Sequence, residues 1–204
     1  MLNNPTVFVV DDDEAVRDSV RWLILSVNLE VKTFSSAQEF LDTFDPEQEG
    51  CLLLDMRMPG MSGLALLAKL CESGSNIPTI FLTGHGDVPM AVRALKEGAV
   101  DFLEKPYNDQ VLLDCVHKAL EQSEQINQLR VEQHIINERY AALTPREAEV
   151  MSMIVKGQSN KVIGNSLFIS IKTVETHRAK IMDKMKADSV SHLVRMAVVL
   201  EQQD

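Results

Sequence analysis

Up to about residue 107, short apolar runs alternate with segments of helical periodicity, and this alternation restricts the possible folds more than any other feature. Strands that alternate with helices form βαβ units, in which the strands are parallel. The central runs are continuously apolar, as expected for strands covered on both faces. We therefore predict an α/β doubly wound fold with a five-stranded parallel sheet. The predicted strands are TVFVV, EVKTF, CLLLD, PTIFLT and VDFLEKP, and helical patterns occupy 13–28, 62–73 and 87–97.

Polar side chains collect at the carboxyl ends of four predicted strands. Asp11 and Asp12 follow the first strand, Asp55 and Thr83 end the third and fourth, and Lys105 follows the fifth. Open α/β sheets bind ligands beyond these strand ends, where the strand order reverses. Carboxylates held close together repel unless a cation neutralises them, and Mg²⁺ prefers such oxygen ligands. The set predicts phosphoryl transfer to a carboxylate, with the ammonium and hydroxyl groups holding the phosphoryl oxygens.

Each of these side chains also has an ordinary structural explanation. Asp12 or Asp13 would serve as the N-cap of the following helix, and Thr83 would cap a turn. The stem of Lys105 would pack along the edge of the sheet. Four polar strand ends together are harder to explain by capping than one, so we favour the phosphoryl-transfer site.

Beyond residue 107 the chain is predicted to be helical. No Pro or Gly occurs between Asn108, a good N-cap, and Pro145, which predicts one long helix with a weakly apolar seam. Thr144 and Glu147 flank Pro145 in the spacing of a capping box, which predicts the start of a second helix.

Three short helices follow one another with tight turns in the tail, a pattern typical of a helix-turn-helix. Gly157 ends the first of them, Ser159 and Ser170 start the next two, and DSVSHLVRMAVVL supplies a fourth helix. One face of the third helix is apolar, and the opposite face suits the major groove of DNA. The apolar face carries Val174, Ile181 and Met185, and the opposite face carries Lys172, Thr173, Thr176, Ala179, Lys180 and Lys184.

Composition narrows the classes of function further. Residues 1–120 hold 19 acidic and 9 basic residues, whereas residues 140–204 hold 7 and 9, which favours a nucleic-acid contact in the tail. No apolar run approaches the roughly 18 residues of a membrane span, and signal-peptide features are missing, so we expect a cytoplasmic protein. Three cysteines without CxxC spacing and five scattered histidines argue against a disulfide or a zinc site.

Residues 6–120 resemble the receiver domain of two-component response regulators, which has a flavodoxin-like fold. The resemblance rests on the ordered set VVDDDE, LLDMRMPGMSG, LTGHGD and EKP. It implies that Asp55 accepts a phosphoryl group with help from Lys105 and Thr83, and that the Lys105–Pro106 peptide is cis. It also implies Mg²⁺ or Mn²⁺ as cofactor. The implied metal ligands are Asp11 (through water), Asp12, Asp55 and the backbone carbonyl of Arg57. The implied switch residues are Thr83 and Phe102. Alternatively, Phe102 is a plain core residue.

Arg57 and His85 each lie two residues past a predicted site residue, at the expected entry for water. We predict that both tune the lifetime of the acyl phosphate. The alternative is that they only line the pocket.

Residues 143–185 resemble the LuxR/GerE-type DNA-binding domain over their whole length. Gly164-Asn165-Ser166 departs from the family, which usually has alanine and charged residues there. An interior Gly costs about 1 kcal/mol relative to Ala, so either the domain is less stable or its helices cross more closely. Whether Glu175 accepts from a cytosine or orients a neighbouring base stays open. The resemblance places Glu175, Thr176 and Ala179 near the bases, and Lys161, Lys172, Thr173, His177, Arg178 and Lys180 at the DNA backbone.

A receiver followed by a LuxR-type domain is the organisation of the FixJ/NarL class. We interpret residues 1–120 as the receiver, 121–142 as a helical linker that continues its last helix, and 143–204 as a small all-α helix-turn-helix domain of four helices. We predict a transcription regulator that is phosphorylated by a histidine kinase, dimerises through the 87–107 face and binds promoter DNA through the helix around 170–185. Its only catalysis is phosphotransfer to, and dephosphorylation of, its own aspartate. On DNA, Leu193, Val194 and Ala197 are predicted to contact the partner copy.

Two other classes of function stay open from the sequence. A hydrolase with an aspartyl-phosphate intermediate, of the haloacid dehalogenase type, has a second Asp two residues after its nucleophile, where this chain has Arg57. A DNA-binding protein with a purely structural receiver is disfavoured by the complete acidic set.

Overall fold

The computed structural model describes residues 5–84 and 88–201, and for residues 88–91 it describes the backbone alone. The chain divides into two compact units, Met1–Asn127 and Gln128–Asp204. The first unit alternates strands and helices, and the second is helical. The domain boundaries expected at residues 120 and 142 stay a prediction.

The described part of the first unit contains one sheet of five parallel strands. The strands are β1 (Thr6–Val10), β2 (Glu30–Phe34), β3 (Gly50–Asp55), β4 (Thr79–Thr83) and β5 (Asp101–Glu104). Their order in the sheet is β2-β1-β3-β4-β5. This order reverses direction between β1 and β3, so the ligand crevice of a doubly wound sheet lies at the carboxyl ends of those two strands. The predicted fold class is confirmed.

Five helices connect or follow these strands. The second is only seven residues long, too short to show helical periodicity, and it was not predicted. Its start is nevertheless defined by Ser36, whose hydroxyl accepts a hydrogen bond from the Glu39 N–H at 3.2 Å. The helices are α1 (Glu14–Ser26), α2 (Ala37–Thr43), α3 (Gly63–Glu72), α4 (Val88–Lys96) and α5 (Asp109–Ala141).

Both faces of the sheet are buried, which explains why the central strands are continuously apolar. Leu52 and Leu54 of β3 pack with Phe40 of α2 in one cluster, and Leu53 packs with Ile24 of α1 in the other. Successive side chains of a strand point to opposite faces, so an unbroken apolar run fills two cores at once. The sheet is therefore a rigid support for the residues at its strand ends.

The second unit is built on four further helices: α6 (Pro145–Val155), α7 (Asn160–Leu167), α8 (Ile171–Met185) and α9 (Val190–Glu201). The predicted capping box of Thr144 and Glu147 is confirmed, as are the N-caps Ser159 and Ser170. The buried face of α8 packs into this unit's core. No helix in the described ranges is long and apolar enough to cross a membrane.

Candidate functional site

The ammonium group of Lys105 lies between two carboxylates at the carboxyl ends of β1 and β3. Its Nζ donates to Asp11 Oδ2 and to Asp55 Oδ1, both at 2.6 Å. β1 and β3 are the strands between which the strand order reverses, so this three-residue cluster lies in the crevice expected for the fold. The structure thus brings together residues that the sequence separates by 94 and 50 positions.

Asp55 is fixed at both carboxylate oxygens. Besides its bond to Lys105, the carboxylate accepts a hydrogen bond from the Arg57 N–H at Oδ2, 2.7 Å away. Asp55 ends β3, where the preceding leucines are fully buried, and is itself only 7% exposed. The loop after β3 is closed by a hydrogen bond from the Gly63 N–H to the Met56 carbonyl at 3.2 Å. The carboxylate therefore presents its oxygens in one defined orientation.

The three consecutive acidic residues at the end of β1 have different roles. Asp11 is buried, and its Oδ1 accepts from the Asp13 N–H at 2.9 Å. Asp13, rather than Asp12, is the N-cap of α1, and its carboxylate accepts from the Ala15 N–H at 2.9 Å. Asp12 is exposed at the mouth of the crevice.

Arg17 is a site residue that sequence reasoning missed. Its Nη1 donates to the backbone carbonyl of Asp11 at 2.7 Å and so fixes the end of β1 from the first turns of α1. Arginines are common on exposed helix faces, and nothing in the spacing after VVDDDE distinguishes this one.

Burial and charge act in opposite directions on the ion pairs. Burial raises the pKa of the Asp55 carboxyl, although the hydrogen bond and positive charge of Lys105 partly oppose this. For Lys105, burial by itself lowers the pKa, but hydrogen bonds to Asp11 and Asp55 outweigh it and the pKa rises. Lys105 therefore stays protonated, and its ammonium and the Arg57 N–H both favour the ionised form of the Asp55 carboxyl against the effect of burial.

The other predicted site residues lie around this cluster. Thr83 ends β4, is buried, and its hydroxyl donates to the Gly84 carbonyl at 3.1 Å. Phe102 on β5 is half-buried and packs against the core shared with α2, α3 and α4. The predicted cis peptide at Lys105–Pro106 is confirmed. His85 lies outside the described residues.

Two carboxylates of the predicted magnesium site lie close together. Asp11 and Asp55 each point one oxygen at the same ammonium, so the two carboxylates converge on one position that is already occupied by positive charge. Mg²⁺ typically binds through one or two carboxylates and keeps several waters. Within residues 5–84 and 88–201, no three acidic, histidine or cysteine side chains gather closely enough to enclose a metal, and Asp12 remains outside the cluster.

The predicted DNA-binding residues of the second unit mostly lie on its surface. His177 and Arg178 are partly buried, and Nδ1 of His177 is enclosed with no hydrogen-bond partner among the described residues. Lys184 does not belong to the exposed face, because its Nζ is paired with Glu147 Oε2 at 2.7 Å. The exposed members are Lys161, Lys172, Thr173, Glu175, Thr176, Ala179 and Lys180.

The surroundings of Gly164 explain why the chain departs from the family pattern at this position. An alanine Cβ at this position would lie 2.8 Å from the Ile169 carbonyl oxygen, closer than real Cβ contacts occur. Of the two explanations that the sequence left open, the structure therefore supports the closer approach, here between α7 and the turn that follows it. The Ile169 N–H donates to the Gly164 carbonyl at 3.0 Å across the same contact.

Comparison with known families agrees with this arrangement of two units. The family "Response regulator receiver domain" matches residues 7–117. The family "Bacterial regulatory proteins, luxR family" matches residues 141–197. Together these two matches cover most of the chain.

Relatives extend the similarity over nearly the whole length. The chain is 44% identical to the transcriptional regulatory protein FixJ of Bradyrhizobium diazoefficiens and 46% identical to that of Rhizobium meliloti, each over 97% of both chains. Among solved structures, the response regulator StyR matches with a TM-score of 0.84 and 45% identity, over 95% of this chain and 98% of that one. Full-length FixJ from B. japonicum matches with a TM-score of 0.59 and 41% identity over 98% of both chains. The chain therefore belongs to the FixJ-like response regulators, and it is a phosphorylation-dependent transcription regulator rather than a classical enzyme.

Proposed function

We propose that Asp55 accepts the phosphoryl group and that a sensor histidine kinase donates it. The observation that carries this assignment is the ammonium of Lys105, held 2.6 Å from the Asp55 carboxylate at the switch point of the sheet. An oxygen of Asp55 forms a bond to phosphorus as the P–N bond to the kinase histidine breaks. The electron pair of that bond stays on the imidazole nitrogen. Lys105 and Thr83 stabilise the charge on the phosphoryl oxygens by being in position beforehand.

Mg²⁺ is the proposed cofactor, and Mn²⁺ would serve the same ligands. Asp11, Asp12, Asp55 and the backbone carbonyl of Arg57 would hold the ion. When bound, it neutralises the clustered carboxylates and the negative charge of the phosphoryl group. The convergence of Asp11 and Asp55 supports this proposal, because the two carboxylates share the ammonium of Lys105 and so carry one more negative charge than it neutralises.

Thr83 and Phe102 are the proposed switch. The Thr83 hydroxyl donates to the neighbouring Gly84 carbonyl at 3.1 Å, a local bond that a phosphoryl oxygen can replace. Phe102 is half-buried on the next strand and can repack when Thr83 turns. Phosphorylation would then shift the population between two receiver states rather than create a new fold.

We propose that the phosphorylated chain forms a homodimer through the 87–107 face. Val92 and Leu95 of α4 leave apolar surface exposed there. In the second unit, the predicted contact through Leu193 and Ala197 was wrong, because both side chains are buried in their own core. The exposed row on α9 consists instead of Val190 and Val198, with Val194 half-buried between them.

Promoter DNA is the proposed partner of α8. Its exposed face combines lysines and hydroxyls, which suit phosphates, with the short side chain of Ala179, which permits close approach to base edges. Glu175, Thr176 and Ala179 would face the bases. The surrounding residues Lys161, Lys172, Thr173, His177, Arg178 and Lys180 would contact the sugar-phosphate backbone.

The decisive measurement locates the modification. The full chain is incubated with acetyl phosphate and Mg²⁺, the acyl phosphate is reduced with borohydride, and peptides are mapped by mass spectrometry. We expect reduction at Asp55 alone and no modification when Mg²⁺ is chelated. Modification at any other carboxylate would refute the assignment.

Arg57 is expected to slow the spontaneous loss of the phosphoryl group. Its side chain is exposed beside Asp55, while its backbone N–H binds the carboxylate, so a change of side chain leaves that hydrogen bond in place. Arg57→Ala should shorten the half-life of phosphorylated protein about threefold, or roughly 0.7 kcal/mol in the barrier to hydrolysis. Arg57→Lys, which keeps a long cationic side chain, is the control. Equal half-lives for wild type, Arg57→Ala and Arg57→Lys would contradict the prediction. The same prediction applies to His85.

A further inference from the structure

Three elements of the second unit meet at the C-terminal end of α8. Lys184 Nζ bonds to Glu147 Oε2 at 2.7 Å and to the Ala142 carbonyl at 3.1 Å. Arg139 Nη1 bonds to the Met185 carbonyl at 3.3 Å. We call these contacts the α8 latch, since they join the end of α5, the start of α6 and the last turn of α8.

Glu147 makes the latch stable over a wide range of pH. Its Oε2 also accepts from the Thr144 N–H at 2.9 Å, so one buried oxygen serves both the capping box and the lysine. The hydrogen bond from Lys184 lowers the pKa of Glu147 to about 2, and the bond from Thr144 adds to this. The carboxylate is 5% exposed and the lysine side chain 34%, so neither group is a freely solvated charge.

The latch adds directional contacts to the apolar packing of α8. Val174, Ile181 and Met185 bury one face of α8 and set its rotation, but apolar contacts have no fixed direction. The hydrogen bonds from Lys184 to Glu147 and Ala142, and the bond that the Met185 carbonyl accepts, fix the position of the helix along its axis. Ala179, a proposed base contact, lies five residues before Lys184, about 7.5 Å along the same rigid helix.

We propose that Lys184 is a positioning residue for DNA recognition: by pairing with Glu147 and the end of α5 it sets the depth and register of α8, and it does not contact phosphate. This inference rests on the proposed binding of DNA by α8. It predicts that loss of the latch impairs the reading of bases and leaves the attraction to the DNA backbone intact.

The test compares Lys184→Met with Lys180→Met in the full chain. Each is titrated with a duplex selected from a random pool by the wild-type chain, and with a shuffled duplex of the same composition, over a series of salt concentrations. For Lys184→Met we expect about tenfold weaker binding to the selected duplex, the effect of one misread base pair, with unchanged binding to the shuffled duplex and an unchanged salt slope. For Lys180→Met we expect weaker binding to both, with a slope smaller by about one.

Further variants separate positioning from general stability. Lys184→Arg keeps the charge and should restore most of the preference for the selected duplex, whereas a merely structural role would not change the preference of the folded fraction. Arg139→Gln leaves no buried charge unpaired, so we expect it to fold even if Lys184→Met does not. It should lose preference in the same direction by about threefold.

The outcomes are distinct. Equal losses on both duplexes with a reduced salt slope would make Lys184 a phosphate contact and overturn the inference. Retained preference in Lys184→Met and Arg139→Gln would also overturn it, while leaving DNA binding by α8 intact. If the wild-type chain itself prefers no duplex, the proposed DNA-binding function fails first, and the inference fails with it.

Discussion

Replacing Asp55 by asparagine is expected to abolish phosphoryl labelling and also to raise the thermal unfolding midpoint of the unphosphorylated protein at neutral pH. The amide has nearly the same shape as the carboxylate but cannot form a stable acyl phosphate. It also removes a charge that the fold disfavours, because burial raises the pKa of Asp55 even beside Lys105. Lys105 keeps its bond to Asp11 at 2.6 Å in the variant, so no buried cation is left unpaired.

The sign of the pH dependence follows from the raised pKa. Below the pKa of Asp55 in the unfolded chain, the side chain is protonated in both states, and wild type and variant should unfold at similar temperatures. As pH rises through the higher pKa of the folded state, the unfolded chain releases its proton more readily, and wild-type stability falls relative to Asp55→Asn. Thermal unfolding of both proteins between acidic and neutral pH measures this growing difference.

Asp18→Asn provides the matched control, since Asp18 is exposed on α1 and its neutralisation removes the same charge away from the crevice. It should label normally and show no such pH-dependent gain. Labelling of Asp55→Asn at the wild-type level would disprove the phosphoacceptor assignment. A lower unfolding midpoint at neutral pH would disprove the electrostatic account of the site.

Gly63→Ala is expected to destabilise the receiver unit by about 3 kcal/mol, the upper range for overpacking a core. An added Cβ would lie 2.3 Å from the Asp55 carbonyl oxygen and 2.9 Å from a ring carbon of Phe81. Neither neighbour is a flexible chain end, because one is backbone at the end of β3 and the other is a fully buried ring. The end of β3 must therefore move, and we expect labelling of Asp55 to weaken as well.

Gly60→Ala isolates the cost of the glycine conformation. Gly60 has φ 79°, and no atom of the residues that the structure describes lies within 4 Å of an added Cβ, so its replacement strains the backbone without a clash. We expect a loss of about 1 kcal/mol there and near-normal labelling. Chemical denaturation of the two variants distinguishes the effects, and equal losses would show that steric contact with Asp55 is not the reason for Gly63.

The sheet could be predicted because parallel strands that are buried on both faces have continuously apolar sequences. Unbroken apolar runs predict β1 and β3, and because open α/β sheets bind ligands at the carboxyl ends of their strands, the sequence also predicts that Asp11, Asp55 and Lys105 lie together. The helix α2 was not predicted because its seven residues are too few to show helical periodicity. The exposed position of Asp12 was also unexpected, since sequence order does not tell which of three acids turns inward.

Lys184 shows that the position of a residue around a helix does not by itself predict its function. Counting residues around α8 placed it among the DNA-facing lysines, because the count describes one helix in isolation. Its partner Glu147 lies 37 residues earlier, and the bond depends on how α6 packs against α8. The same reason hid Arg17, whose acceptor is a backbone carbonyl that no sequence pattern marks.

The two bonds of Lys105 tie the chemistry of the site to the completion of folding. The lysine follows β5, an edge strand that pairs only with β4 and is the last to be synthesised. Until β5 joins the sheet, Asp11 and Asp55 lack the ammonium that balances their charge. The balance of charge in the crevice therefore depends on the last strand of the sheet, and the crevice reaches its final electrostatic state only when all five strands have paired.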